Sequence, residues 1–163
     1  MRPSLLAALL TPLILIATFT NCSSTGSNTA VNGAGANTST AANAGPHDNV
    51  EELAMLVKLP VEPEEVAWKE NPAQKKLVAV LRFSPENAGK LVAEIEKTGQ
   101  PTVETLPVES WYPAELVAQG ELTGESTVTG TSFPAESFLN PPYTNGKITR
   151  VENTDYFILQ ISS

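Results

Sequence analysis

The segment from Lys76 to Gly99 constrains this chain more than any other. Leu77-Val78-Ala79-Val80-Leu81 is an unbroken apolar run with Phe83 just beyond it. That pattern predicts a strand covered on both faces, because a half-solvated strand would alternate. Ser84 then offers an N-cap oxygen, Pro85 fits a first helical turn, and Glu86 suits its positive end. Ala88, Leu91, Val92 and Ile95 fall at i, i+3, i+4 and i+7 to make one buried stripe, while Glu86, Lys90 and Glu94 form a solvated ladder. Gly99, with Pro101 behind it, is the expected end of the helix. A strand that needs both faces covered, followed at once by a helix able to cover one of them, demands a layered sheet.

The other elements are read around that unit. Asp48-Asn49-Val50-Glu51 has capping-box spacing ahead of Val50, Leu53, Ala54 and Val57, which predicts a short helix to about Val57, with a strand over Met55 to Leu59 as the alternative. Val66 and Trp68 alternate with Ala67 and Lys69 as in a strand, and Asn71-Pro72 makes a turn. Tyr112-Pro113-Ala114-Glu115 opens a helix that should close at Gly120, and Phe133-Pro134-Ala135-Glu136 opens another that must stop before Pro141-Pro142. Between them, Ser126 to Phe133 reads as a Thr-rich edge strand with Gly130 as a bulge. Lys147 to Val151 and Tyr156 to Ile161 form a hairpin around residues 152–155, with Phe157, Leu159 and Ile161 on one face. The expected class is α+β: a mixed or antiparallel sheet of about five or six strands, with one main helix and short helices packed on it.

Ahead of this patterned region the chain changes character. Arg2 precedes a run from Leu5 to Ile16 that is almost wholly apolar but short for a membrane span, and Thr18-Phe19-Thr20-Asn21 leads to Cys22, the only cysteine. This arrangement resembles a bacterial lipoprotein signal, with Phe19 and Asn21 standing where that family usually carries Leu and a small residue. The resemblance implies cleavage before Cys22 and lipidation of that residue with acyl chains such as palmitate. It also implies export to the cell envelope, where Ser23, not being Asp, favours an outer membrane or cell surface. Cleavage near Asn28-Thr29-Ala30, or an uncleaved anchor interrupted by Pro12, are the alternatives. Residues 23–46 are Ser, Thr, Gly, Asn and Ala, apart from Val31 and Pro46, and carry no charge. They predict a flexible tether with a span of roughly 25–30 Å. The expected organisation is therefore a signal over 1–21, a lipidated cysteine and tether over 22–46, and a single α+β domain over 47–163. That domain contains no cysteine and must hold together without disulfides.

The composition excludes several functions. Formal net charge is −8, and losing Arg2 with the signal leaves 9 basic against 18 acidic residues, or −9. No Lys or Arg occurs between Lys97 and Lys147, whereas Glu104, Glu109, Glu115, Glu121, Glu125 and Glu136 all do, so nucleic acid is not an expected partner. The sole histidine, His47, lies at the tether's end, which leaves no base for a Ser/His or Cys/His nucleophile and no usual zinc set. Only Asp48 and Asp155 could start a calcium loop, and no Gly-rich phosphate loop is present, so neither metal nor cofactor is expected.

What remains is carboxylates and rings. Glu51-Glu52, Glu64-Glu65 and Glu94/Glu96 are the carboxylate pairs on offer, each more usual on a solvated face. Trp111, Tyr112 and Tyr143, with Glu109 and Glu115, are the candidate binding surface, since flat rings stack while acids accept hydrogen bonds. The competing reading is that the rings pin long loops onto the core. The favoured function is a non-catalytic envelope lipoprotein whose domain binds a protein or glycan partner. The alternative is a carboxylate-dependent enzyme acting on envelope glycans, recognisable by a deep cleft holding two glutamates about 5–10 Å apart.

Overall fold

A computed structural model of the chain describes residues 45–163. The expected signal, Cys22 and the tether as far as residue 44 lie outside the described residues. Among the described residues, no helix is long and apolar enough to cross a membrane.

The fold is α+β, a six-stranded, fully antiparallel sheet with helices on both faces. In chain order the elements are α1 (Val50–Leu56), β1 (Glu65–Asn71), β2 (Lys76–Arg82), α2 (Pro85–Ile95), β3 (Thr102–Pro107), α3 (Ala114–Leu122), β4 (Thr127–Pro134), a 3-10 turn (Glu136–Phe138), β5 (Asn145–Val151) and β6 (Tyr156–Ser162). The strands lie in the order β1-β2-β6-β5-β4-β3. The chain therefore lays down a hairpin, sends α2 across one face to the far edge, and fills the gap last with the β5–β6 hairpin. β6 becomes a central strand, and its sequence reads accordingly: Phe157, Leu159 and Ile161 enter one core while Tyr156 and Ile158 enter the other.

The α2 face holds the larger core. Leu77, Ala79 and Leu81 of β2 meet Ala88, Leu91 and Ile95 of α2, and Phe83 stands edge-on to Phe157 at 5.4 Å. Leu53 from α1, Val57 just beyond it and Phe138 from the 3-10 turn close its flank. Ser84 caps α2 by accepting from the Asn87 N–H at 3.2 Å, with Pro85 in the first turn. On the opposite face α3 covers a smaller cluster, in which Leu116 meets Val80, Val128, Val151 and Ile158. β2 is thus buried on both sides, as its unbroken apolar run predicts.

Several local expectations are corrected. β3 pairs outside β4, which makes β4 an interior strand instead of the expected edge. Gly130 is no bulge: its register with Glu104 and Val151 is continuous, and the glycine is needed because a Cβ there would collide with the Arg150 carbonyl oxygen and Thr149 Cγ2. α3 passes through Gly120 to Leu122, because Gly120 is packed against Val108 and is not the stop. The turn beyond α3 is made by Gly124, at φ +74°, a conformation that costs glycine little. Pro134 ends β4 and does not open a helix, leaving only the 3-10 turn before Pro141. Asn49, not Asp48, caps α1, accepting from the Glu52 N–H at 2.9 Å. α2 ends at Ile95, short of Gly99, where the Thr98 hydroxyl donates to the Ile95 carbonyl at 2.6 Å.

Candidate functional site

The connection from β3 to α3 runs over the α3 face of the sheet and carries Glu109, Trp111 and Tyr112. Tyr112 is 6 % exposed and belongs to the α3-face core, whereas Trp111 is half-buried at its margin. The Trp111 Nε1–H donates to Glu109 Oε2 at 2.6 Å, a local bond between residues two apart. The indole stands edge-to-face on Tyr112, with ring centroids 4.6 Å apart at 81°. Lys69 of β1 places its Nζ 5.3 Å from the Trp111 ring centroid, near enough for cation–π attraction. One indole is therefore fixed from three directions, by an acid, a ring and a cation.

Glu115, in the first turn of α3, extends this margin. Its Oε2 accepts from the Tyr156 hydroxyl at 3.2 Å. Beyond Tyr156, Arg82 makes a two-pronged pair with Glu65 at 3.0 and 2.7 Å and lies 3.8 Å from Glu64. Burial, and secondarily the charge of Glu109, push the Tyr112 phenol up to about 12. Burial, and secondarily Glu115, raise the Tyr156 phenol in the same way. Both phenols remain neutral donors at physiological pH, so the carboxylates of this margin face hydroxyl and indole protons instead of other anions.

Of the five residues that the sequence offers, four gather here and Tyr143 does not. Tyr143 is 3 % exposed in the α2-face core, and its hydroxyl donates to Glu70 Oε1 at 2.6 Å. The separation follows from strand parity: consecutive residues of β1 point to opposite faces, so Lys69 reaches Trp111 while Glu70 reaches Tyr143. The Tyr143 phenol is raised above its ordinary value by burial first and by the Glu70 bond second. Lys69, Tyr156 and Arg82 are members of the margin that sequence reasoning missed. Only the alternation along β1, β2 and β6 places them on this face.

His47 stacks on Trp68 at 4.3 Å and 17°, exchanges two backbone hydrogen bonds with it, and holds Nδ1 3.5 Å from Glu52 Oε2. Among the described residues, no group of three His, Cys, Asp or Glu side chains could hold a metal ion. The glutamate pairs at 51/52, 64/65 and 94/96 are all exposed. An open depression of about 500 Å³ lies by the β5–β6 turn, lined by Thr131, Arg150 and residues 151–155, and its carboxylates are Glu152 and Asp155. Comparison with family models, with curated proteins and with solved structures finds no match for this chain.

Proposed function

We propose that this chain is a lipid-anchored lipoprotein of the bacterial envelope, tethered through Cys22, whose α+β domain binds a protein or glycan partner without catalysing a reaction. The observation that carries the binding reading is Trp111. It is a half-exposed indole whose rotamer is already fixed by Glu109, Tyr112 and Lys69, so docking against it costs little side-chain entropy. The surrounding groups supply both hydrogen-bond senses, with carboxylates at Glu109 and Glu115 and cations at Lys69 and Arg82. The anchoring reading rests on the lipoprotein-like run ending at Cys22 and on the uncharged segment after it. At least two acyl chains are required for firm attachment.

The test has two parts. Intact mass of the mature protein should give a chain beginning at Cys22 with added lipid, and Cys22→Ser should release the domain from membranes. An unlipidated chain starting elsewhere would end the anchoring reading. Retention of solubilised envelope components on the immobilised wild-type chain should fall when Trp111 is replaced by Ala. Equal retention by both proteins would end the binding reading at this surface.

A further inference from the structure

The two edges of the sheet are not equivalent. Along β1 the outer side is occupied at its centre, because His47 and Trp68 exchange backbone hydrogen bonds of 2.8 and 2.9 Å. Along β3 nothing among the described residues pairs with the outer side.

The phase of that open edge can be read from the ladder. The Glu152 N–H donates to the Thr129 carbonyl, so Thr129 turns its backbone groups toward β5 and its neighbours Val128 and Gly130 turn theirs toward β3. Gly130 is in register with Glu104, and Val128 with Leu106. Glu104 and Leu106 therefore spend their backbone groups on β4, while Val103 and Thr105 point theirs outward. The next outward positions on either side are Pro101 and Pro107, which have no N–H to offer. The edge is thus a window of two residues, closed by a proline at each end.

We infer that this window pairs with the same window of a second copy of the chain, joining two sheets edge to edge about a two-fold axis opposite Glu104. In that register Val103 of each copy faces Thr105 of the other, which gives two β-branched cross-strand pairs and satisfies all four N–H and C=O pairs of the joint window. Among the described residues Val103 is one of three large apolar side chains left exposed, at 73 %, and the pairing would cover it.

Charge at the seam is also compatible with self-pairing. The two Glu104 side chains would lie side by side, normally a repulsive arrangement. Of the six glutamates in the cation-free stretch, however, Glu104 alone has an ion-pair partner among the described residues: Lys147, which reaches it from β5 across β4. The seam then carries two acids and two cations. Growth beyond two copies would have to pair β1 with β1, and the centre of that edge is already taken by His47. The pairing is independent of Trp111, which extends toward Lys69 on the opposite edge strand.

The experiment is sedimentation of the full chain in detergent across a wide concentration range. The expected result is a concentration-dependent doubling of protein mass for the wild type and for Trp111→Ala. Val103→Pro should be monomeric with unchanged melting, since the N–H that it removes is not part of the β4 ladder. Val103→Glu, at an exposed position, should also be monomeric. A wild type that stays monomeric at every concentration overturns the inference. So does a dimer that survives in a folded Val103→Pro or Val103→Glu chain.

Discussion

On the α2 face, Phe83, Phe133, Phe138 and Phe157 meet beneath two helices and a 3-10 turn. On the α3 face of the same sheet there is no phenylalanine among the described residues, and the rings are Tyr112, Tyr156 and Trp111. The strands are shared, so the difference lies in what covers them. A thick layer can enclose rings with no polar atom. A thin layer of one helix and a loop leaves ring tips near water, where a phenol or indole finds an acid: Glu115 for Tyr156 and Glu109 for Trp111. Tyr143 and Trp68 are the exceptions on the thick side: Tyr143 reaches a carboxylate where the core meets the sheet edge, and the Trp68 indole donates to the Asn49 carbonyl at 3.2 Å. One face is dominated by apolar packing, while the other combines packing with a polar, ring-bearing margin.

The largest test of that contrast compares two leucines, each fully buried under its own helix. Leu91→Ala removes a side chain from the centre of the larger cluster and should cost about 3–5 kcal/mol. Leu116→Ala should cost about 2–3 kcal/mol, because a single short helix over a small cluster can settle into the space left behind. Urea unfolding of both variants measures the difference. Equal costs would mean that the two layers are equally committed to packing.

A smaller effect sharpens the contrast from the polar side. Ser132 and Thr149 are buried cross-strand neighbours whose hydroxyls lie 2.5 Å apart, and apart from the tyrosines they are the buried polar side chains among the described residues. Ser132→Ala strands the Thr149 hydroxyl and should cost about 1–3 kcal/mol. Adding Thr149→Val should recover much of that loss, since removing both partners leaves no unpaired group. A double variant less stable than the single one would show that the pair contributes more than its mutual satisfaction.

The smallest effect at neutral pH concerns the tyrosines. The chain has three, and all are raised by burial with an acid nearby. The unfolded chain would lose phenolic protons near pH 10, before the folded one. This contribution to stability is therefore complete below pH 10 and is lost as pH rises toward the folded values, about 12 for Tyr112. Tyrosinate absorbance should not appear near pH 10 in the folded protein, and should rise together with loss of the circular dichroism signal. Ordinary titration of all three phenols at pH 10 with the fold intact would contradict the packing of both faces.

The elements with strong periodicity were legible in the sequence. Leu77–Leu81, the α2 stripe and the final hairpin each carry a pattern that only one kind of buried element satisfies. β3 escaped because Thr102 to Pro107 buries only Leu106, and an edge strand between prolines leaves little alternation to read. Losing β3 also turned β4 into an apparent edge. Within the candidate site, Glu109 and Trp111 are two residues apart and their proximity is local. The exclusion of Tyr143 and the inclusion of Lys69 depend on which face a loop joins, and that is decided by sheet order. No feature of the Trp111 or Tyr143 neighbourhood in the chain encodes sheet order.

The proposed division, with the α3-face margin serving recognition and the α2 face stability, is tested most directly by Trp111→Ala when melting and envelope retention are measured on the same preparation. The expected result is a cost of roughly 1–2 kcal/mol, below the 3–5 kcal/mol typical of a fully buried tryptophan, together with loss of retained material. A cost of about 3–5 kcal/mol with retention unchanged would contradict it and return Trp111 to the core.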